Sequence, residues 1–264
     1  MTTDYFGLHI RALPYFRGLL RSIEARLMQD VALPEPMLDL GCGDGHFASV
    51  ALPGGVTIGL DPDPASLREA RGRGVFRSLL RADGARLPLA AASLASAYSN
   101  SVLEHLPGLE GVLAEVGRVL RPGAPFVFTV PNPGYYTELS LPAALERLRL
   151  DRLGDAYRGW FMDMSRTRNL LDEQGWARAL AAAGFEVEVT FRYFRPAALH
   201  TLEWGHYFGA PCLLPRRLVG RWILVPARWN LWLTDRLIRR YYDPAPQADG
   251  TYSYYLARKV SDAA

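Results

Sequence analysis

Lysine is almost missing from this chain: of 30 basic residues, Lys259 is the only lysine. Alanine is abundant beside the arginines, so the bias reflects a GC-rich genome more than a chemical demand. Charge of either sign is modest. A net charge of +3 is too small for a chain that holds nucleic acid through a basic stripe, so no nucleic-acid partner is expected. Cysteine is scarce, with Cys42 and Cys212 far apart and in no metal-ligand spacing. That excludes a disulfide framework and a cysteine metal site, and it fits a reducing, cytoplasmic compartment. No apolar segment follows the N-terminus, so no signal peptide is expected, and no window of about 18 uncharged apolar residues provides a membrane-spanning helix. Internal repeats and low-complexity tracts are absent too.

What is present is an ordinary globular composition, 49% hydrophobic and 22% charged, in 264 residues. That length builds one good core, or a core with a subdomain. The most informative run is Met37-Leu38-Asp39-Leu40-Gly41-Cys42-Gly43-Asp44-Gly45, a short strand that ends in glycines at alternate positions. Glycine there permits positive φ and close approach of a ligand to the backbone. His46 to Leu52 reads as a helix whose free N–H groups face the turn. A dinucleotide fold asks for G-x-G-x-x-G, its third glycine placed where helix and strand pack closely. Here His46 holds that place and the glycine falls one residue early, at Gly45, giving G-x-G-x-G.

Strand and helix then alternate. Strands are expected over 36–40, 56–60, 75–80, 94–98, 126–130, 185–194 and 251–258, with helices over 64–71, 108–120 and 170–183. This pattern predicts a doubly wound α/β fold, a mostly parallel seven-stranded sheet covered on both faces. The glycine turn, Asp61, Asp83 and Asn100 all fall at carboxyl ends of strands, where ligands lie in such sheets. Asp61 lies about 20 residues past the turn, where an acid can accept two ribose hydroxyls, though Asp61-Pro62 also reads as a plain turn. Asp83-Gly84 could accept from an adenine amino group or be a turn as well. Residues 11–30 form an amphipathic helix ahead of the core, with Leu13, Phe16, Leu19, Leu20, Ile23 and Leu27 at helical spacing. It is expected as a lid packed on the domain.

From Arg81 to Gly123 the chain carries Arg-Ala-Asp-Gly-Ala-Arg-Leu-Pro-Leu, then Asn100-Ser101-Val102-Leu103-Glu104-His105-Leu106-Pro107, then Glu115-Val116-Gly117-Arg118-Val119-Leu120-Arg121-Pro122-Gly123. With the glycine turn before it and Leu180-Ala181-Ala182-Ala183-Gly184-Phe185 after it, this stretch resembles the class I S-adenosylmethionine (SAM) methyltransferases. The nearest group is the small-molecule enzymes that include those of ubiquinone and menaquinone biosynthesis. The resemblance covers about residues 35–132 and 176–189. It implies SAM as cofactor. It also implies that Asp39, Gly41, Cys42, Gly43 and Gly45 surround the amino-acid end, Asp61 and Pro62 the ribose, Asp83 and Gly84 the adenine, and Asn100 and Ser101 the floor beside the sulfonium. Ala124 stands where the group often has a second glycine, and Ser93 to Ala97 replace its usual Phe-Asp; neither falls on those contacts.

Methyl transfer is an in-line displacement in which the cofactor carries the activated group, so the protein supplies position and environment. Alignment alone is worth roughly 7–11 kcal/mol, whereas a general base adds about 10²–10⁴-fold, and only where a proton must leave. His105 is the first candidate base. Tyr135, Tyr136, His200 and His206 are candidates for the acceptor pocket. No metal is expected.

Residues 195–250 separate the last two strands and hold the chain's most unusual stretch. Between Arg216 and Tyr242, Trp222, Trp229 and Trp232 sit among leucines, isoleucines and seven arginines against one acid, Asp235. Tryptophan with arginine marks a helix lying in a bilayer interface, and a cap packed on the sheet or a dimer face are the other readings. Pro226 would split it into two helices. The chain is therefore expected to be a single domain: a helical lid (1–34), a SAM-binding core (35–194), an aromatic and basic insertion (195–250) and a last strand with its tail (251–264). The expected activity is methyl transfer to a small-molecule or lipid-like acceptor, on oxygen by preference, with carbon and nitrogen open. The expected location is the cytoplasm, and contact of 216–242 with the inner face of the membrane is the alternative to a cap packed on the sheet. A non-catalytic SAM-binding or membrane-peripheral adaptor and an NAD(P)-dependent oxidoreductase are the rival readings.

Overall fold

The computed structural model describes residues 3–260. In chain order the elements are α1 (Tyr5–Ile10), α2 (Tyr15–Leu27), β1 (Met37–Leu40), α3 (His46–Ala51), β2 (Val56–Asp61), α4 (Pro64–Arg73), β3 (Phe76–Arg81), β4 (Ser96–Asn100), α5 (Leu109–Val119), β5 (Pro125–Pro131), α6 (Gly134–Thr137), α7 (Ser140–Arg147), α8 (Asp151–Ser165), α9 (Glu173–Ala182), β6 (Phe185–Tyr193), α10 (Pro196–Phe208), α11 (Leu213–Val219), α12 (Arg228–Ile238) and β7 (Tyr252–Lys259).

The seven strands form one sheet in the order β3-β2-β1-β4-β5-β7-β6, parallel except for β7, which runs antiparallel to both neighbours. Strand order reverses beside β1, which pairs with β2 on one side and β4 on the other. This is the switch point at which open α/β sheets leave a crevice beyond their strand ends. β1, β4 and β5 are buried along their whole length, as central parallel strands must be when helices cover both faces. One core layer packs Leu113, Val116, Trp176 and Leu180 of α5 and α9 against Phe126 and Phe128. The other packs α2 and α10 against Tyr98, Val127 and Tyr254.

Two expectations change. The helix expected over 11–30 is shorter: α2 starts after Pro14 and ends at Leu27, and a separate short α1, capped by the Asp4 side chain, precedes it. α2 packs on the domain: Leu19 and Ile23 are wholly buried in the core layer with β4 and β5. The fourth strand lies two residues later than the apolar run 94–98 suggests. Leu94 forms only an isolated bridge to Leu120, and pairing with β1 begins at Ser96, so Asn100 closes the strand. Residues 131–169 form α6, α7 and the 15-residue α8. The insertion is α10, α11 and α12, with Pro226 in the break between the last two. No helix among the described residues is long and apolar enough to cross a membrane.

Candidate active site

At the end of β1 the chain turns through three residues of positive φ, Gly41, Gly43 and Gly45. At Gly41 (φ +78°) a Cβ would lie 2.5 Å from the Val102 side chain, so no larger residue fits. At Gly43 (φ +53°) a Cβ would meet nothing within 4 Å: the turn there faces open space. The loop is bonded to the neighbouring strand, since the N–H groups of Gly41 and Cys42 both donate to the Leu60 carbonyl (2.8 and 2.9 Å). Gly43 N–H donates to Asp61 Oδ2 at 3.0 Å, and Asp61 Oδ1 accepts from Asp63 N–H at 2.9 Å. Asp61 therefore ties the glycine turn to the start of α4. Pro62 beside it is exposed. Asp83, at the tip of β3, is exposed and accepts from Ala85 N–H at 3.0 Å in a tight turn with Gly84.

Asp39 is buried under the turn, and the Tyr98 hydroxyl donates to its Oδ2 at 2.5 Å. Burial pushes its carboxyl up to about 7 despite that bond. Burial also raises the Cys42 thiol, which makes it an inert filler rather than a nucleophile. His46 packs edge-on against His9, with Nε2 3.1 Å from His9 Nδ1. Burial lowers the pair to about 4 and about 3, so one neutral ring donates to the other.

The floor of the crevice is built from a residue that the motif reading misses. Glu24 of α2 is wholly buried and accepts four close hydrogen bonds, from Asn100 Nδ2 (2.9 Å), Ser101 Oγ (2.8 Å), Tyr193 OH (3.1 Å) and Arg21 Nη1 (2.7 Å), with Thr129 Oγ1 farther off at 3.5 Å. A fully bonded carboxylate in the core is the condition under which such a charge is tolerated. Ser101 sits at φ +50°, its N–H on the Thr129 carbonyl at 3.0 Å. The signal in the sequence is an acid at position 24, between Ile23 and Leu27 on the apolar face of an amphipathic helix.

Two cavities meet over this floor. The first, about 300 Å³, is lined by Asp39, the glycine turn, Asn100 and Ser101. The second, about 720 Å³, has apolar walls from Phe16, Leu20, Trp160 and Leu202, with Ser101, Glu104 and His105 as polar groups. Ser101, Arg17, Arg21 and Trp222 line both. Of these, only Ser101 was legible as a site residue. Glu104 is 3% exposed, and its Oε2 has no hydrogen-bond partner among the described residues. Burial pushes its carboxyl up to about 8. His105 is more open. Its Nδ1–H donates to the Arg166 carbonyl at 3.0 Å, which leaves Nε2 as the ring's acceptor, 3.7 Å from Glu104 Oε1.

Of the acceptor-pocket candidates, Tyr135 and His206 line the large cavity. His206 is fixed by donation from Nδ1 to the Leu202 carbonyl at 2.9 Å. Tyr136 and His200 do not line it. Tyr136 points outward beneath the Arg158 guanidinium, because neighbours in α6 face different directions, and His200 bonds the Glu138 carbonyl at 2.8 Å.

Residues 38–128 match the family described as a methyltransferase domain. Over those residues the chain carries a methyltransferase domain, similar to SAM-dependent enzymes, and its fold is that of the class I methyltransferases. It is 31% identical over 176 residues to a probable S-adenosylmethionine-dependent methyltransferase of Mycolicibacterium smegmatis, covering 64% of this chain and 59% of that one. A malonyl-[acyl-carrier protein] O-methyltransferase of Serratia marcescens is 30% identical over 162 residues, covering 57% and 64%. The chain thus spans about half to two thirds of the length of these relatives. Geranyl diphosphate C-methyltransferase from Streptomyces coelicolor, crystallised with S-adenosyl-L-homocysteine, shares the fold with a TM-score of 0.57, at 17% identity over 93% of this chain and 82% of that one. The domain match removes the ground for the oxidoreductase reading, as the displaced third glycine already suggested.

Proposed function

We propose that this protein transfers a methyl group from SAM to an oxygen of a small-molecule acceptor with an apolar body. The observation that carries the proposal is the meeting of the two cavities at Ser101, a polar crevice beside the glycine turn opening into a larger, mostly apolar chamber. The crevice fits the cofactor chemically. Open space at Gly43 leaves room against the backbone, Asp39 and Arg17 offer a carboxyl and a guanidinium for an amino-acid end, and Asp61 keeps lone pairs beyond its two backbone bonds for ribose hydroxyls. Pro62, Asp83 and Gly84 lie farther along the strand ends, where the nucleoside would continue. The bound cofactor supplies an activated methyl group on a sulfonium.

The protein's own contribution is placement. Asn100 and Ser101, held by Glu24, form a rigid floor at the boundary between the cavities, and rigidity of that kind is where most of the acceleration lies. The apolar walls exclude water from the acceptor. Glu104 lines the chamber, with one carboxyl oxygen buried behind its surface and without a hydrogen-bond partner among the described residues. His105, its tautomer set by the Arg166 carbonyl, can take a proton at Nε2 from a hydroxyl acceptor. A carboxylate acceptor needs no base at all. Oxygen as the target, and an acyl or lipid-like body, are supported by the relative named as acting on a malonyl-carrier substrate.

The test is incubation of the full chain with isotopically labelled SAM and a lipid and metabolite extract, followed by mass spectrometry. A labelled methyl ester or ether of an apolar molecule, with equimolar S-adenosylhomocysteine, is the expected result. Calorimetric SAM binding with no labelled product from any extract would favour the adaptor reading instead.

A further inference from the structure

The insertion has two faces with different chemistry. Inward, Arg216 Nη2 donates to both carboxylate oxygens of Glu69 of α4 (2.6 and 2.8 Å), and the guanidinium groups of Arg17 (5.6 Å) and Arg216 (5.7 Å) lie over the Trp222 ring. Through Trp222 this segment roofs both cavities. Outward, it leaves a run of large apolar side chains in solvent, among them Leu214, Leu218 (73% exposed), Leu224, Trp229 (76%), Trp232 and Leu237. On α12 the spacing 229, 232, 233 and 237 makes an apolar stripe on the side away from buried Leu231. Exposed apolar surface gathered in this way marks an interaction face.

Charge decides what that face fits. Arg217, Arg221, Arg228, Arg236 and Arg240 are exposed among these residues, and none has an ion pair among the described residues. The one acid of the segment, Asp235, is held by Arg239 at 2.6 Å. A second copy docking face to face would set these arginines against themselves, since a two-fold interface pairs a patch with its own image. An anionic lipid surface complements them, and tryptophan and arginine both suit the headgroup layer. With helices of 7 and 11 residues, α11 and α12 can lie in that layer but not cross it.

We infer that α11, the 220–227 loop and α12 are a docking surface for an anionic lipid bilayer, which the protein engages with the roof of its two cavities. Docking itself does not depend on methyl transfer. What rests on the proposed function is its use: Trp160, Tyr207 and Leu213 edge the acceptor cavity beside this face, so an apolar acceptor can pass from bilayer to chamber without crossing water.

The experiment uses the full chain with vesicles of phosphatidylcholine alone or mixed with phosphatidylglycerol, read by flotation and by tryptophan emission with brominated lipid as quencher. The chain is expected to float with the anionic vesicles at low salt, with blue-shifted and quenched emission, and to be released by salt. Each arginine near an anionic surface adds about fivefold to the partition. Thus R217Q/R228Q/R236Q should partition on the order of 100-fold less, and W229A/W232A should lose the quenching. SAM binding by calorimetry and the far-UV dichroism of both variants should match the parent, which separates failure of this inference from failure of the cofactor assignment. A parent chain that binds SAM yet stays in solution with anionic vesicles at low salt would overturn it. So would a dimer in sedimentation that W229A/W232A dissociates, with no vesicle binding by the parent.

Discussion

Glu104 and His105 are neighbours in sequence with opposite fates. Glu104 is buried with one oxygen unpartnered, while His105 is half open and tied to the Arg166 carbonyl. The buried carboxyl carries a stability cost that depends on pH. Its folded value, about 8, lies above its ordinary 4.5, so the folded state holds this proton more tightly. The associated stability is fully present below the ordinary value and is lost as pH rises through 8. Glu104→Gln removes the ionisation, so the variant should gain on the parent between pH 5 and pH 9. At about 1.4 kcal/mol per pKa unit the gain is on the order of 2–4 kcal/mol, read from urea unfolding at several pH values. Parallel curves for the two proteins would place the Glu104 carboxyl in water. At this scale the sequence was partly legible. Adjacent Tyr135 and Tyr136 look alike in a motif, but a helix turns about 100° per residue and only one of them reaches the cavity.

Among the elements, α2 departs most from the sequence reading. Its apolar spacing was visible, but its partner was not, because Glu24 meets Asn100 and Ser101 across 76 and 77 residues of chain. Local patterns report a helix and its buried face; they do not report which distant loop an acid on that face will hold. The same limit explains β4, where hydrophobicity favours Leu94 but pairing with β1 selects Ser96 to Asn100. Conversely, the β1 turn was legible because its demands are local: positive φ at three alternate positions and no room for a Cβ at Gly41. Glu24→Gln should therefore damage the site as well as the fold. An amide cannot accept all four donors, and it leaves Arg21 without its partner, at a cost of about 2–4 kcal/mol. SAM affinity should fall roughly tenfold, because a looser Asn100 and Ser101 lose about one good hydrogen bond's worth of placement. Unfolding and calorimetry together check this; a variant of lower stability but unchanged SAM affinity would reduce Glu24 to a structural residue.

Taken as a whole molecule, the chain sets a SAM-type crevice at the switch point of its sheet and covers it with segments from both ends, α2 from one side and the α10–α12 insertion from the other. The alternation of strands and helices into a mostly parallel seven-stranded sheet could be read from the sequence. The acceptor chamber could not, since its walls come from α2, α8 and α10, segments that share no motif and converge only in three dimensions. The most direct measurement is a crystal structure of the chain with S-adenosylhomocysteine. The account predicts the ribose hydroxyls on Asp61, the amino-acid end between Asp39 and Arg17, and the sulfur at Ser101, facing the large chamber. A nucleoside bound elsewhere, or a sulfur turned away from that chamber, would contradict it.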